Sequence, residues 1–540
     1  MILYFGFLKS HAFKRIENSG VYKKGGKRMK KVQLIGLVLL IAMFASIAVS
    51  CTGNAANTKS GPAIDYDTVV IATADETPSL GTATHNAVAG DYVNKLTHNG
   101  LFRLDKELNP QPDLVASYDF DENSYTWTFK LHPGIKFHDG SDLTADDVVA
   151  TLNYTKTMPD IATYTTSYDN VTKVDELTIT LTTDGPSASL LYDLAHHGNY
   201  IIPKELIDQD ADMSANPIGA GPYKFVSWDR GEKITFVAFE DYFDKERAPK
   251  IKNIIWRIIP EGSSRTIAIE SGEVDYIIEL DSTAVKTLDA NENVTVMKIP
   301  SVSHNWLCIN NEVPPFDNVN VRRAINCAIN RADIIEVALN GAGVPATAQT
   351  PAGMLGENPD NFGGEYDVEK AKEYMAKWGG DPSTIKLEMI CSNDTKRRAA
   401  EVIQSNLKEI GIEAGIVSLD LATYLSETAA GNFTGFIGGY TSNEMMSFLK
   451  GVYHSSNIGS SNKTRTANPE VDRLIELASK TVDQKEREKV LMEVTKVLND
   501  NCYQIPIYQD YTLSVHKKDL ENTFITSGGT FFAQEWSWKK

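Results

Sequence analysis

The chain has 540 residues, 42% hydrophobic and 23% charged, ordinary globular proportions that exclude a disordered, collagen-like or coiled-coil protein. Nine of its 53 Lys/Arg but only one of its 71 Asp/Glu (Glu17) lie in the first 51 positions, so the remainder carries 44 basic against 70 acidic residues, a net −26. A surface of that sign repels nucleic acid and anionic lipid, which excludes both as partners of the folded part.

In chain order, residues 1–28 are basic and fit a leader poorly; Met29 is the better start. Met29-Lys30-Lys31 then precedes Leu34–Val49, an uncharged apolar run ending in small residues. This is the build of a bacterial secretory signal, and sixteen residues fall short of the ~20 that a membrane-spanning helix needs. Ala48-Val49-Ser50-Cys51 follows the lipobox pattern with Ala48 where Leu is usual, so Cys51 is the expected lipidated N-terminus of the mature protein. The small and polar stretch from Thr52 to Asp65 is then a flexible tether. The 490 residues after the signal correspond to about three domains of roughly 150 residues each.

Residues 67–74 form a short apolar strand, and strand patterns dominate from Tyr118 to about Thr183. Tyr125, Trp127, Phe129 and Leu131 alternate with polar residues, the period of a half-buried strand. Pro133-Gly134 and His138-Asp139-Gly140 are turns, and Thr144 with Asp147 three residues on is a helix-capping pair. Tyr223–Trp228 and Lys233–Phe239 flank Asp229-Arg230-Gly231 as a hairpin. Beyond residue 318 helices take over. Val321, Ala324, Ile325 and Ala328 share a face; Asp367 caps a helix running to Trp378 with Gly379 beyond; Lys396–Ile410 is amphipathic and stops at Gly411; Pro469 to about Asn499 is a long charge-laced helical region. Short strands at 386–390 and 412–417 lie between them, an alternation that indicates α/β packing. Cys308, Cys327, Cys391 and Cys502 are widely spaced without a CxxC pair and read as buried free thiols.

Chemical motifs are sparse. His138-Asp139 sits in a turn and reads as structural rather than catalytic. His196-His197 are adjacent and cannot present one helix face to a single ion, and no HExxH, GxSxG or phosphate-binding loop occurs. No catalytic residue, metal or cofactor is expected.

The stretch Tyr125–Val149 resembles the signature of the family 5 extracellular solute-binding proteins, the peptide and nickel receptors of ABC importers. Further blocks agree in order: Pro217-Ile218-Gly219-Ala220-Gly221-Pro222-Tyr223, Arg265 with Ser271–Asp275, and Pro315-Phe316-Asp317 with Val321–Ile325 and Asn330-Arg331. Taken alone, Gly219 and Gly221 read as tight-turn glycines, Gly272 as a helix-ending residue, and Arg322 and Arg323 as surface or domain-packing charges.

The resemblance covers nearly all of residues 66–540 and implies a periplasmic-binding-protein-like α/β fold with two lobes, an interlobe cleft and an extra β-rich subdomain. The implied division is a signal at 1–50, a tether at 51–65, one lobe from 66–103 with 217–302 and 505–540, the subdomain at 104–216, and the second lobe at 303–504. It implies a monomer outside the cytoplasm, on the periplasmic face or cell surface. The chain would touch the membrane through its lipid alone and hand its solute to a permease.

The family's dipeptide receptors pair an Asp in a Trp-x-x-Asp segment with the peptide amine and an upstream Arg with its carboxylate. Here that segment resembles Tyr440-Thr441-Ser442-Asn443, and the Arg position falls at Ile390. Both charges are replaced, with Glu444 one residue on as a substitute acid. That departure points away from a dipeptide and toward a longer peptide held along its backbone, an uncharged oligosaccharide or a nickel chelate remaining open; a secreted hydrolase is a weaker alternative. Ligand contacts implied by resemblance are Glu76, Thr77, Trp306, Tyr440, Thr441, Asn443 and Tyr508, with Tyr511 beside the last.

Overall fold

The strand Thr68–Thr73 sets the pattern of the first half of the molecule. Val69 and Ile71 pack with Tyr92, Trp256 and Tyr276, while Val70 and Ala72 face the opposite layer of Ile269, Val274 and Ile277. A strand apolar on both faces belongs in the interior of an α/β sheet, and this one pairs in parallel with Asn253–Ile258 on one side and Tyr276–Ile277 on the other. The computed structural model describes residues 65–357 and 364–540. The apolar run Leu34–Val49, Cys51 and all but the last residue of the tether lie outside the described residues.

Two long antiparallel strands, Val294–Ile309 and Gln504–Lys517, carry the sheet from this half into the next. Val294–Pro300 pairs with Tyr511–Lys517, and His304–Cys308 with Gln504–Gln509. A break in register separates the two stretches between Pro300 and His304. Such a bulge bends its strand and sharpens the local twist. It is tied down from two sides. Gln509 Nε2 donates to the Ser301 carbonyl (2.9 Å), and the Ser527 carbonyl accepts from Val302 N (3.2 Å) and Thr512 Oγ1 (2.9 Å). Beyond the bulge, Gly435–Thr441 pairs antiparallel to residues 303–309 and Leu387–Cys391 runs parallel to both Gly435–Thr441 and Ala414–Ser418. Apolar layers again cover both faces, one around Ile325, Ile403 and Leu407, the other around Phe436, Phe448 and Leu474. Among the described residues the sheet has eleven strands, edged by Ala414–Ser418 and Tyr223–Asp229.

A separate four-stranded antiparallel sheet, ordered Val115–Asp121, Thr126–Leu131, Thr178–Thr182 and Val171–Lys173, packs Trp127, Phe129 and Leu131 against Val148 and Leu152 of the helix Ala145–Thr155. The alternation read from sequence holds from Trp127 onward. Tyr125 stands apart: it is exposed and left-handed (φ 51°), in the turn before the strand.

Local signals elsewhere act as expected. Thr144 and Asp147 form a reciprocal capping box, Gly231 takes φ +73° in the hairpin, and Asp367 caps Val368–Trp378 with Gly379 left-handed at its end. The helix read at Lys396–Ile410 runs Asp394–Lys408 under an Asn393 cap. The region from Pro469 is two helices, Pro469–Lys480 and Gln484–Asn501, because Asp483 caps a new one.

Two readings need correcting, that of Gly219 and Gly221 and the surface alternative for Arg322. Gly219 and Gly221 are not left-handed turn glycines; a Cβ at either would lie 2.2–2.3 Å from the Thr97 backbone, so they are required by close approach. Arg322 is not a surface charge: it is buried and donates to the carbonyls of Phe316, Asp317, Asn501 and Cys502. Arg331, whose role was unassigned, is likewise buried and satisfies the carbonyls of Ala346, Pro506, Asn326, Ile329 and Gly364. Cys308, Cys327, Cys391 and Cys502 are buried free thiols; burial pushes Cys391 and Cys502 up to about 11.

Candidate functional site

The strand Gly435–Thr441 reaches the crossing strands as Gly438-Gly439-Tyr440-Thr441. The glycine pair is a packing requirement. A Cβ at Gly438 would meet the Phe436 ring at 2.4 Å and the Tyr424 hydroxyl at 2.9 Å, and one at Gly439 the Asn305 side chain at 2.5 Å. The bare backbone brings the rings of Trp306, Tyr424, Phe436 and Tyr440 around a half-open cavity of about 360 Å³. Tyr424 is fixed by donating to the Ile437 carbonyl (2.9 Å) and by Phe436 edge-on at 5.7 Å. Tyr440 stands edge-on to Phe448 with its hydroxyl over Gly451, and burial together with the Tyr164 hydroxyl raises its phenol pKa. Trp306 is packed by His304 and Phe448, and its buried indole N–H has no partner among the described residues.

Two lysines complete the wall. Lys396, in the first turn of Asp394–Lys408, donates to Ser392 Oγ (3.0 Å) and lies 4.7 Å from the centre of the Tyr424 ring. Lys463, in the loop before Pro469, donates to Thr428 Oγ1 (2.8 Å) and lies 5.9 Å from the same ring. Burial lowers the pKa of both; the groups that act on them are thiols and, for Lys463, the other lysine, and among the described residues neither ammonium pairs with a carboxylate.

The residues singled out by sequence do not all meet. Trp306 and Tyr440 share the cavity, and Thr441, the next residue along the strand, pairs with Ser303 and does not line it. Ile390 is buried in the apolar layer behind it. Asn443 lines a separate crevice with only about 10 Å³ of free space, beside Glu444, Tyr192 and Leu491, its side chain against Gly528 of the C-terminal segment. Glu444 is buried as the cap of Met445–Tyr453, accepting from Ser447 N (2.7 Å) and Ser447 Oγ (3.1 Å). Burial raises its pKa although Arg487 opposes the shift. Tyr508 is buried in a crossing strand opposite Asn305 and Pro345. Glu76 and Thr77 lie in the first half: Glu76 accepts from Trp228 Nε1 (2.9 Å) and Gly231 N (2.8 Å), and Thr77 donates to the Ser79 carbonyl. Tyr511 pairs with Pro300 beside the bulge.

Sequence reasoning missed Lys396, Lys463 and Asp510. Asp510 is half-buried where the crossing strands change register, held by Asn305 Nδ2 (3.1 Å), and burial raises its pKa. A carboxylate interrupting the apolar run Ile505–Leu513 was the available signal. Nothing local marked the lysines, which stand 67 positions apart and meet only over Tyr424. His196 and His197 stack with Tyr164 and His85, and His197 Nδ1 lies 3.4 Å from Asp91. His138 Nε2 sits 2.9 Å from the Gly221 carbonyl, a structural contact. Among the described residues no group of three His, Cys, Asp or Glu side chains could hold a metal ion.

Comparison with known proteins agrees with this architecture. The glutathione-binding protein GsiB of Salmonella paratyphi A (strain ATCC 9150 / SARB42) is 26% identical over 491 residues, spanning 88% of this chain and 95% of the relative. HbpA2 from Haemophilus parasuis superposes with a TM-score of 0.81 at 23% identity, covering 88% of this chain and all of that one. The periplasmic binding protein DppA from Helicobacter pylori, in complex with the peptide STSA, gives 0.67 at 23% identity over 88% and 98%. The profile of the bacterial extracellular solute-binding proteins, family 5, middle region, matches residues 109–460. The two-sided sheet, its crossing strands and that match together make this chain a member of family 5 of the bacterial extracellular solute-binding proteins, the solute receptors of ABC importers, with the periplasmic-binding-protein-like α/β fold.

Proposed function

We propose that the protein is a lipid-anchored receptor that captures a peptide of more than two residues outside the cytoplasm and delivers it to an ABC importer permease as a monomer. The observation that carries this reading is the aromatic cavity beside the bulged crossing strands. At about 360 Å³ it falls in the usual range of small-ligand sites, and its rings suit side chains while the strand edges suit a peptide backbone. Asn443 and Glu444, the positions that would anchor a dipeptide amine, sit in a crevice too narrow for a ligand, which favours a longer peptide held elsewhere. The relatives point the same way, one named for a tripeptide thiol and one seen with a tetrapeptide.

In this reading residues 66–103, 217–302 and 505–540 form one lobe, 303–504 the other and 104–216 the subdomain. The bulge between Pro300 and His304 is the hinge, and Glu76, Thr77, Trp306, Tyr440, Thr441, Asn443 and Tyr508 belong to the cleft or its supports. Differential affinity for the closed form drives closure, and the peptide leaves unchanged. Mass spectrometry of molecules that co-purify with the protein, followed by intrinsic fluorescence titration with tri- to pentapeptides, tests the ligand. A saturable change with peptides is expected, and a response to oligosaccharides or nickel–histidine alone would overturn the peptide assignment. Incorporation of labelled palmitate, abolished by Cys51→Ser, tests the anchor; labelling that survives the substitution would refute it.

A further inference from the structure

Among the described residues, no carboxylate balances the charge on the wall of the cavity. Lys396 and Lys463 both turn their ammonium groups toward Tyr424, each held by one hydroxyl, on a chain whose acidic residues exceed its basic ones by 18. Other lysines and arginines of this acidic molecule commonly find carboxylates, as Lys95 does with Asp91 and Lys517 with Asp275. Among the described residues these two pair with none: the groups that act on them are the thiols of Cys391 and Cys308 and, for Lys463, the neighbouring Lys396. Two like charges brought together in a half-buried site repel, and desolvation adds to the cost. Each lysine spends one of its three donors on a hydroxyl, leaving the others for something else. A surface of donors without acceptors, framed by rings, is complementary to an anion with an organic body.

We propose that this cavity is an anion subsite in which Lys396 and Lys463 clamp a carboxylate of the ligand, with Trp306 as an aromatic wall and Tyr424 as the floor. The proposal deepens the peptide reading and rests on it: the carboxylate is the C-terminus of the peptide or an acidic side chain near it. It also gives a physical reason for the missing arginine at Ile390, because the positive charge enters the site from two other elements. A guanidinium would bind in a fixed bidentate fork, whereas two ammonium groups on flexible stems accept a carboxylate over a range of positions and so suit peptides of several lengths.

The test uses the full mature chain and tryptophan fluorescence, since Trp306 lines the cavity. The probes are a mixed library of tri- to pentapeptides, the same library amidated at the C-terminus with Asp and Glu replaced by Asn and Gln, tricarballylate as a non-peptide polycarboxylate, and maltotriose as a neutral control. The proteins are wild type, Lys396→Met, Lys463→Met, the double variant, and Lys463→Arg, which keeps the charge; thermal melts certify folding. Loss of a charge-assisted hydrogen bond in such a site corresponds to roughly tenfold to hundredfold weaker binding. That loss is expected on neutralising the peptides for wild type and on either Met substitution for the native peptides, with Lys463→Arg close to wild type. In the double variant, native and neutralised libraries should bind alike.

Peptides that bind wild type and the double variant equally, or that tolerate neutralisation, would overturn the subsite and leave the peptide reading intact. Binding of tricarballylate but no peptide, lost in the double variant, would support the subsite and overturn the peptide reading. Preference for maltotriose, or no response to any probe, would overturn both.

Discussion

Acid should unfold this protein well before its carboxylates are protonated, because several imidazoles are buried neutral. Burial lowers the pKa of His85 and His138 to about 4, and that of His98, His196 and His304 to about 3; neighbouring imidazoles add to the shift at His85, His98 and His196. In the unfolded chain each takes its proton near pH 6.5, as unperturbed histidine does. Between those limits the unfolded state therefore binds more protons than the fold. The contribution is complete above about pH 6.5 and is lost as pH falls toward the folded values. At pH 5 each of the five costs about 2 kcal/mol, or roughly 10 kcal/mol together.

Asp193 has the opposite sign. Burial raises its carboxyl to about 7, so it keeps a proton that the unfolded chain has released and returns about 2 kcal/mol between pH 7.5 and 5. The raised carboxyls of Asp113, Glu279, Glu444 and Asp510 act in the same direction. The histidines and Asp193 together leave a net loss of about 8 kcal/mol from pH 7.5 to 5, which the other raised carboxyls reduce; that is a large part of the stability of a typical folded domain. Potentiometric measurement of proton uptake on unfolding in unbuffered urea at pH 5.5 reads the linkage directly; a net uptake is expected, about three to four protons from the histidines and Asp193, lowered by the other raised carboxyls. His304 offers the sharpest control. It packs beside the rings of Trp306 and Phe448 in a strand, so His304→Leu should keep the fold and lower the uptake by about one proton. Zero uptake or proton release, or an unchanged count in His304→Leu, would refute the assignment of these rings as neutral.

Two other perturbations are direct. Gly221→Ala places a methyl 2.3 Å from the Thr97 carbonyl carbon, where only backbone can yield, and a loss of about 2–3 kcal/mol is expected in chemical denaturation, against near-neutrality for Gly231→Asn at the open left-handed hairpin position. Arg331→Met removes a guanidinium that joins carbonyls from five residues, including Pro506 of a crossing strand, and should cost about 3–5 kcal/mol, read as a fall in melting temperature that Arg331→Lys restores only in part.

What the sequence revealed was local. The capping box of Thr144 and Asp147, the Gly231 hairpin, the Asp367 cap and the left-handed Gly379 each depend on residues within four positions of one another. Such features survive whatever the rest of the chain does. The resemblance carried the periplasmic-binding-protein-like α/β fold, because several ordered blocks constrain a topology that periodicity alone does not. The errors share a cause. Gly219 and Gly221 look like turn formers until Thr97, more than a hundred residues earlier, is laid against them. Arg322 looks solvated until the chain returns at Asn501 and Cys502. The lysine pair was illegible for the same reason: one lysine opens a helix, the other sits in a loop, and the tyrosine between them belongs to a third element. Trp306 and Tyr440, named through the family resemblance, fall on strands adjacent in the sheet.

The four sequestered thiols bear on how such a receptor matures. Cys308, Cys327, Cys391 and Cys502 make no covalent cross-link, so no oxidation step gates the path from extended polypeptide to finished receptor. Refolding yield should then be indifferent to the ratio of reduced to oxidised glutathione, provided the cysteines are shielded before an oxidant reaches them. Any chain with such thiols that folds under oxidising conditions is thereby in a race between collapse and oxidation, and its rate of compaction decides how much of it survives.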